Sequence, residues 1–282
     1  MKTKIIADST CDLPQAIIDT FDIEIIPLYV ILDDKAYKDK LEMTPEEVIA
    51  WSDREGKTPK TSAASVEDIK HTMQPYVDEG REIVFVTISS GFSSTYGNAN
   101  LAVEEFEGVK IRVVDSKNLS TGFGLVVHEA AEMAAEGKGA DEIADHLDTI
   151  IPKVRASFFV DKLTFLYRGG RCSALAAFGA NALKLKPQIK VENGLMGTGD
   201  KYRGSTMRVC KKYCEAVLED IERIEPKRVY ITYSPSDREI VDAALEVVRS
   251  KGYFGEVLES SAGCVITSHC GYNTLGVLYI EK

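Results

Sequence analysis

The chain has 282 residues, and 34 Lys and Arg against 44 Asp and Glu give it a formal charge of −10 at neutral pH. Nucleic acids and anionic membrane surfaces are bound mainly through clustered positive charge, so this balance disfavours both as partners. With 44% hydrophobic and 28% charged residues, the composition is that of a folded globular protein. The length suits one large α/β unit or two domains of ordinary size.

The cysteines and the N-terminal residues bear on the cellular compartment. None of the 6 cysteines forms a C-x-x-C pair, and a chain of this size does not depend on disulfides, so reduced thiols are expected. The start, MKTKIIADST, has too short an apolar run for a secretion signal. Residues 260–280 carry no formal charge but are rich in polar side chains that do not suit a bilayer core. We therefore expect a cytoplasmic protein with no integral membrane segment, and we expect it to be a monomer. We interpret 260–280 as a buried, polar-lined site.

Short β-branched segments alternate with helical patterns through the first half of the chain. Thr44-Pro45-Glu46-Glu47 and Ser65-Val66-Glu67-Asp68 predict helix starts with capping boxes. The other predicted elements are strand 4–7, a helix from Pro14, strands 24–27, 29–32 and 83–88, a helix over about 93–106, strand 111–114 and helices over 121–136 and 140–151. Such alternation predicts an α/β fold with a mostly parallel sheet flanked by helices.

A second α/β series follows Pro152. Its predicted elements are strand 156–160, short helices over 162–168 and 173–183, a hairpin of strands 188–191 and 195–198, a helix over about 205–222, strand 228–232, a helix capped by Ser236, and strands 255–258 and 276–281. The hairpin turn Glu192-Asn193-Gly194 indicates a mixed sheet in this half. We predict an N-terminal lobe over 1–152 and a C-terminal lobe over 153–282, packed closely with a ligand cleft between them.

Hydroxyl side chains cluster in loops that follow the first-half strands. These loops are Asp8-Ser9-Thr10, Ser89–Thr95, and Asp115-Ser116 through Ser120-Thr121. Ligands of open α/β sheets bind at the carboxyl edge of the strands, so we expect the loops to meet at one crevice. Ser93 and Ser94 lie where a strand passes into a helix, and free amides there favour an anion. The alternative is that Ser93 merely caps its helix.

Four further features are candidates for ligand contact. Thr61 belongs either to a second hydroxyl site or to a plain loop before a capped helix. His269 could donate a hydrogen bond to a carboxylate, or be a buried histidine bonded to backbone. Arg171 and Arg203 lie beside glycines and suit a carboxylate or phosphate, or else surface salt bridges. The apolar segment 174–183 walls a tunnel or forms a core helix.

Several common cofactor motifs are missing from the sequence. It has no G-x-x-x-x-G-K-[ST], and Gly122-Phe123-Gly124 lacks the third glycine of a dinucleotide fingerprint. Ser89–Thr95 does not match G-x-S-x-G. Cys210 and Cys214 lie four apart on one helix, and we interpret them as core thiols, not as zinc ligands.

Taken together and in order, the motifs resemble the DegV family of bacterial fatty-acid-binding proteins. The resemblance spans nearly the whole chain. It rests on Asp8-Ser9-Thr10-Cys11-Asp12-Leu13, Lys60-Thr61-Ser62 with Ser65, Ser89 to Tyr96, Val114-Asp115-Ser116, Gly169-Gly170-Arg171, and Ser268-His269 with Gly271. The chain departs from the usual family pattern at Ala64, at Ser94 and at Tyr272-Asn273, where the family has proline, glycine and Pro-Gly.

The resemblance implies a two-domain carrier that holds a long-chain fatty acid. It implies that the hydroxyls of Thr61 and Ser93 contact the carboxylate, with the Ser94 amide and His269 close by and the tail in an apolar tunnel. It further implies a separate ATP-dependent fatty acid kinase as partner, whose acyl phosphate product enters phospholipid synthesis. Arg171 and Arg203 would contact the phosphate or the kinase. No catalytic residue, metal or cofactor is expected beyond the bound fatty acid.

Two other functions remain as alternatives. A serine hydrolase could use Ser93 and His269 with Asp8 or Asp115, since hydroxyl, imidazole and carboxylate could converge at one crevice. A structural or regulatory protein with a vestigial pocket would bind no lipid. The sequence does not give the acyl length.

Overall fold

A computed structural model describes residues 3–172 and 185–282, and the structural statements below refer to these residues. The strands are β1 (Lys4–Asp8), β2 (Glu24–Ile26), β3 (Tyr29–Leu32), β4 (Lys35–Lys38), β5 (Lys60–Ser62), β6 (Ile83–Thr87), β7 (Ile111–Asp115), β8 (Val154–Phe159), β9 (Lys186–Glu192), β10 (Leu195–Tyr202), β11 (Arg228–Tyr233), β12 (Glu256–Ser261) and β13 (Leu275–Ile280). The helices are α1 (Gln15–Phe21), α2 (Pro45–Glu55), α3 (Val66–Asp78), α4 (Thr95–Val103), α5 (Ser120–Ala135), α6 (Ala140–Ile150), α7 (Thr164–Gly169), α8 (Thr206–Val217), α9 (Arg238–Ser250) and α10 (Cys264–Cys270). The predicted helix over 173–183, with its apolar segment 174–183, lies outside the described residues.

The first half of the chain builds a parallel sheet in the order β2-β1-β6-β7. Strands β1 and β6 are buried along their whole length because helices cover both faces. Successive side chains of β1 point to opposite faces of the sheet. Ile5 and Ala7 join the hydrophobic cluster that contains α5 and α6, and Ile6 joins the cluster that contains α2 and α3 on the other face. The predicted parallel sheet is confirmed.

A small antiparallel sheet, β4-β3-β5, lies beside the parallel one. In it Val30 of β3 pairs with Thr61 of β5. The segment around Thr61, which the sequence left as a hydroxyl site or a loop, is therefore a short strand that ends before the capped helix α3. Both predicted capping boxes, at Thr44 and at Ser65, are confirmed.

The second half forms a mixed sheet in the order β10-β9-β8-β13-β11-β12. Strands β11 and β12 are parallel, and the other neighbours are antiparallel. The predicted hairpin is β9–β10, and its turn uses positive φ angles at Asn193 and Gly194. The predicted Ser236 cap is wrong: α9 begins at Arg238, and the Ser236 hydroxyl instead donates to the Ser234 carbonyl.

Helix α5 joins the two halves. It packs against β1 of the parallel sheet and against β8, β11 and β13 of the mixed sheet. Such a helix cannot keep a polar face, and most of its residues are buried. Gly124 permits a close approach of another backbone segment, since a side-chain carbon there would lie 2.5 Å from the Cys11 carbonyl oxygen. The predicted boundary at 152 lies in the short 3-10 turn Ile151–Lys153 between α6 and β8. As a division into two lobes it stays a prediction.

Candidate functional site

A cavity of about 230 Å³, called the main cavity below, lies between residues of the two halves. Its lining residues are Leu28, Thr61, Ser62, Ala63, Ile88, Phe92, Ser93, Ser94 and Leu119 from the first half, and Arg171, Met196, Val265, Ile266, His269 and Cys270 from the second. Ser62, Ser94 and Arg171 are exposed, whereas Leu28, Ile88 and most of the other apolar side chains are buried. The cavity therefore has a polar, exposed end and an apolar interior.

Thr61 and His269 meet at this cavity although 208 positions separate them. Strand β5 presents Thr61, and the last turn of α10 presents His269. The Thr61 Oγ1 lies 2.8 Å from His269 Nε2. Burial, together with the positive charge of Arg171, lowers the pKa of His269 to about 4. The imidazole is therefore neutral at neutral pH.

The other ring nitrogen of His269 faces a glycine. Nδ1 is buried, and it has no hydrogen-bond partner within residues 3–172 and 185–282. A side-chain carbon at Gly169, the last residue of α7, would lie 2.3 Å from Nδ1. The backbone of α7 therefore holds the imidazole ring from the side opposite Thr61.

Ser93 and Ser94 occupy the turn that leads from β6 into α4. The Ser93 Oγ lies 2.8 Å from Thr95 Oγ1 and accepts a hydrogen bond of 3.3 Å from the Thr95 amide. The N-cap residue of α4 is Ser94, and it makes no side-chain capping bond, so the expected cap by Ser93 is replaced by this turn contact with Thr95. Ser93 also lines the cavity. Ser94 is the residue before the first turn of α4, where free amides and the helix dipole favour negative charge.

The two arginines singled out in the sequence lie in different places. Arg171 lines the exposed end of the main cavity and donates hydrogen bonds to the Phe92 and Gly169 carbonyl oxygens, at 3.5 and 2.8 Å. Arg203 is exposed between β10 and α8 and is not among the residues that line the cavity.

Two buried carboxylates hold the first turn of α10. The Asp39 carboxylate accepts hydrogen bonds from the Cys264 amide at 2.7 Å and the Val265 amide at 3.4 Å. The Asp12 carboxylate accepts one from the Gly263 amide at 2.7 Å and lies 3.0 Å from the Lys40 ammonium. Burial opposes the charge of Lys40, but the Asp12 carboxylate still raises its pKa above the usual range. These first-half acids fix the helix that carries His269.

A second, narrower cavity of about 30 Å³ shares Leu119, Ile266 and Cys270 with the main cavity. Several of its other lining residues carry hydroxyls, yet those hydroxyls are engaged within the protein. Thr274 donates to the Cys270 carbonyl at 3.0 Å, and Ser120 donates to Asp12 at 2.7 Å. The walls therefore present carbon atoms to the space.

The predicted hydroxyl loops do not all reach the main cavity. The loop after β6 lines it, and the loop 115–121 contributes Leu119. Residues 8–10 and the hydroxyl side chains of 115–121 do not line it. Asp8 instead accepts a 2.7 Å hydrogen bond from the Ile88 amide, and burial raises its pKa to about 6. The Asp115 carboxylate bonds the Ser90 amide and Lys117. These acids stabilise the loop that presents Ser93.

Comparison with known proteins identifies the family. A family model described as "Uncharacterised protein, DegV family" matches residues 2–282. The chain belongs to the DegV family. The predicted family resemblance and the predicted α/β fold class are both confirmed.

Similar proteins cover the DegV chain from end to end. A protein of Thermotoga maritima named a fatty acid-binding protein is 34% identical over 286 residues, covering 98% of this chain and 96% of that protein. The structure of a DegV family protein from Thermus thermophilus, described as binding fatty acid, has a TM-score of 0.91 at 32% identity and 100% coverage of both chains. A stearic acid-binding protein from Eubacterium ventriosum has a TM-score of 0.85 at 28% identity, covering 99% and 98%.

Sequence reasoning missed several parts of the DegV site. Leu28 and Met196 line the main cavity, but isolated apolar residues give no signal in a sequence. Of the two cysteines beside the motifs, Cys270 lines both cavities, and Cys172 is buried with its Sγ 3.9 Å from the Met196 carbonyl oxygen. Outside the cavity lining, His128 is buried with Nδ1 2.9 Å from the Tyr230 hydroxyl.

Two further observations concern metals and membranes. Cys210 and Cys214 are buried in the hydrophobic cluster between the mixed sheet and helices α8 and α9. Within the two described ranges, no group of three or more side chains of His, Cys, Asp or Glu could hold a metal ion. No helix in that part of the chain is both long and apolar enough to cross a membrane.

Proposed function

We propose that this DegV protein binds a long-chain fatty acid in the main cavity. The observation that carries the proposal is the placement of Thr61, His269 and Ser93 together at a cavity that has a polar end and an apolar interior. A fatty acid has one acceptor-rich carboxylate and a long apolar tail, so it matches a cavity with these two ends. The related proteins described above, which are named for binding fatty acid and stearic acid, support the same ligand class.

The carboxylate would lie at the hydroxyl end of the cavity. Thr61 and Ser93 each offer a hydroxyl, and the Ser94 amide lies at the N-terminus of α4. Hydrogen bonds to an ionised acceptor are stronger than neutral ones, at about 1.5–3 kcal/mol each. Arg171 adds positive charge at the exposed end. The acid therefore binds in its ionised form.

The acyl tail would run from this end past Leu119, Ile266 and Cys270, which line both cavities. Burial of apolar surface stabilises such a complex by about 0.8 kcal/mol for each CH₂ group. Because the second cavity is narrow, the tail must displace its walls to extend into it. The acyl length that fits best is set by how far these walls move.

A carrier of this kind needs a partner enzyme that acts on the bound acid, and it does not itself catalyse a reaction. We propose that the protein presents the bound acid to a separate fatty acid kinase for acyl-phosphate formation, that it needs no metal or cofactor, and that it works in the cytoplasm as a monomer. Arg171, exposed beside the carboxylate end, is the candidate contact for the phosphate or the kinase. Arg203 lies outside the cavity lining and stays a prediction for the kinase surface.

The contacts of the acids weigh against the hydrolase alternative. Nucleophilic catalysis by Ser93 needs its hydroxyl bonded to an imidazole that a carboxylate orients. His269 Nε2 instead lies beside Thr61, and Ser93 bonds to Thr95. Asp8 and Asp115 bond to backbone amides and to neighbouring side chains. The proposal therefore assigns Ser93 to binding.

Native mass spectrometry of the purified protein, followed by organic extraction, tests the ligand class directly. We expect a stoichiometric fatty acid, and a protein that is empty and takes up no added fatty acid would overturn the proposal. The double variant Thr61→Val with Ser93→Ala should bind on the order of 100-fold more weakly or worse, since two charged hydrogen bonds are lost. Ser90→Ala, at an exposed serine of the same loop, is the matched control and should bind normally.

A further inference from the structure

Ser89 organises the loop that leads from β6 to α4. Its side chain is fully buried, and its hydroxyl accepts a 3.1 Å hydrogen bond from the Gly91 amide. Its carbonyl oxygen accepts hydrogen bonds from the Phe92 and Ser93 amides, at 2.9 and 3.2 Å. Ser89 therefore binds three consecutive amides of the loop, and the last of them belongs to a residue that lines the main cavity.

The Ser89 hydroxyl also reaches the second half of the chain. It donates a 2.8 Å hydrogen bond to the carbonyl oxygen of Gly194, which lies in the β9–β10 turn 105 positions away. A serine hydroxyl has one proton to donate, and this bond uses it. Because the same oxygen accepts from the Gly91 amide, the hydroxyl joins the loop to the turn as donor and acceptor at once.

The loop and the turn meet backbone to backbone. A side-chain carbon at Gly91 would lie 2.4 Å from the Gly194 carbonyl oxygen and 2.9 Å from Leu195 Cδ2. A side-chain carbon at Gly194, where φ is +79°, would lie 2.8 Å from Ser89 Oγ. Neither position has room for a side chain, so the contact depends on a glycine in each segment.

The two joined segments continue directly into the walls of the main cavity. Ser93 and Ser94 line the cavity at the end of the loop, and Met196 lines it just after the turn. Ser89 and Gly194 are not among the lining residues. The bond between them therefore sets how the wall that offers hydroxyls lies relative to the wall that offers Met196.

We propose that Ser89 is a positioning residue: through its bond to Gly194 it holds the Ser93 hydroxyl and the Ser94 amide where the ligand carboxylate needs them. This inference rests on the proposed function, since it takes the ligand to be a fatty acid with its carboxylate at that end of the cavity. Hydrogen bonds weaken steeply when their geometry is distorted, whereas apolar contacts of the tail do not depend on angle. A loosened loop therefore costs the head group its contacts more than the tail.

A double-mutant cycle tests whether Ser89 acts through the loop. Ser89→Ala removes the hydroxyl, and we expect about tenfold weaker binding of a fluorescent fatty acid, the effect of about one hydrogen bond. In the Ser93→Ala background the same substitution should cause a smaller loss, because one of the contacts that it disturbs is already gone. Losses that multiply in full would show that Ser89 acts independently of the head-group contacts, and they would overturn the inference.

Ser52→Ala is the matched control for the loss of a buried hydroxyl. Ser52 lies in α2, outside the cavity lining, and its hydroxyl donates to the Lys57 carbonyl oxygen. We expect this variant to bind the fatty acid normally. A loss of affinity equal to that of Ser89→Ala would mean that any such deletion weakens binding, and it would overturn the inference.

A second variant disturbs the same contact and leaves the Ser89 hydroxyl in place. Gly91→Ala puts a side-chain carbon against the Gly194 carbonyl oxygen, so the loop and the turn must separate. We expect a loss of affinity similar to that of Ser89→Ala. Gly97→Ala, in the helix that follows the loop, is the control because a side-chain carbon there meets nothing within 4 Å. Unchanged binding by Gly91→Ala would overturn the inference.

Amide hydrogen exchange of the ligand-free protein separates the loop from the fold as a whole. The Ser93 amide should exchange faster in Ser89→Ala than in the wild-type protein, while the amides of β1 keep their protection. Equal exchange at Ser93 in the two proteins would overturn the inference. Failure of the wild-type protein to bind any fatty acid would overturn the proposed function instead, so the two failures are distinguishable.

Discussion

Gly169 shows how a single missing side chain shapes the site. Its backbone packs so closely on the His269 ring that a methyl group there would lie 2.3 Å from Nδ1. Real side-chain carbons essentially never come so close, so either α7 or the imidazole must move. Position 169 therefore needs a glycine because the His269 ring leaves no room for a side chain, and not because the backbone adopts turn angles that favour glycine.

The variant Gly169→Ala tests this dependence. We expect it to displace His269 from Thr61 and to weaken fatty acid binding by about tenfold, the value of one hydrogen bond of about 1.4 kcal/mol. Titration with a fluorescent fatty acid measures the change. Gly97→Ala is the matched control because a side-chain carbon there meets nothing within 4 Å inside helix α4. Equal affinities for Gly169→Ala and the wild-type protein would contradict the expectation.

His128 makes the stability of the protein depend on pH. Burial, with the nearby charge of Arg228, lowers its pKa to about 4, below the value of about 6.5 in an unfolded chain. The unfolded state therefore binds more protons between these values, and the stability that neutral His128 provides above about pH 6.5 is lost as the pH falls toward 4.

A comparison of variants isolates this effect from the titration of buried acids such as Asp8. We expect the free energy of unfolding of the wild-type protein, relative to His128→Gln, to fall by up to about 1.4 kcal/mol for each pH unit between about 6.5 and 4. Urea unfolding at several pH values measures it. A difference that stays constant over this range would show that His128 does not couple folding to protons. His71→Gln controls for the loss of one exposed imidazole.

At the scale of elements, helix α10 depends on acids that are remote in sequence. Asp39 accepts hydrogen bonds from the Cys264 and Val265 amides and from the Ser9 hydroxyl, at 2.7 Å for the last. The carboxylate thus satisfies free amides of the first turn and joins the turn that follows β1 to α10. An asparagine at position 39 would keep one acceptor oxygen of the carboxylate and would replace the other with an NH₂ group.

Asp39→Asn should therefore lower the free energy of unfolding by about 1–3 kcal/mol, the range for a buried hydrogen-bonding group left unsatisfied. Denaturant titration measures the change. Asp33→Asn is the control, because Asp33 is exposed and its surface ion pair with Lys57 is screened by water and contributes little to stability. A loss no larger than the control's would mean that the α10 amides find other acceptors.

Helix α10 shows most clearly what sequence reasoning could not predict. Elements with one polar and one apolar face, such as α2, α3 and α6, were predictable because local periodicity and capping residues mark them. Nearly all of α10 is buried, so it has no polar face and no helical period, and the sequence indicated only a polar-lined site there. Strand β5 has three residues, too few for a period.

The candidate site was predictable residue by residue but not as a geometry. Thr61, Ser93 and His269 stand out by motif, and the DegV resemblance orders them. Their meeting depends on where Asp12 and Asp39 hold α10, and no local pattern encodes contacts across more than 200 positions. The same long-range placement decides that Arg203, equally prominent in sequence, lies outside the cavity lining.

At the scale of the whole molecule, the two sheets share one core. A single hydrophobic cluster runs from Ile5 of β1 through Phe123 of α5 to Leu278 of β13. Separation of the halves would expose this surface to water, at about 25 cal/mol for each Å². The halves should therefore fold and unfold as one cooperative unit.

Calorimetry tests this cooperativity. We expect one unfolding transition, and we expect an added fatty acid to raise its temperature because the proposed site takes residues of the folded chain from both halves. Two resolved transitions, or a ligand that shifts one of two, would indicate independent lobes. The Thr61→Val and Ser93→Ala double variant should unfold in one transition that the fatty acid moves much less.

The cavity walls also have a consequence for synthesis on the ribosome. Leu28 is made early, whereas Ile266, His269 and Cys270 are made late, and all of them line the same space. A growing chain has the hydroxyls of Thr61 and Ser93 long before it has the helix that encloses them. The proposed site is therefore complete only when α10 has folded against the first half, and we expect a nascent chain to retain no fatty acid before residue 270 has emerged.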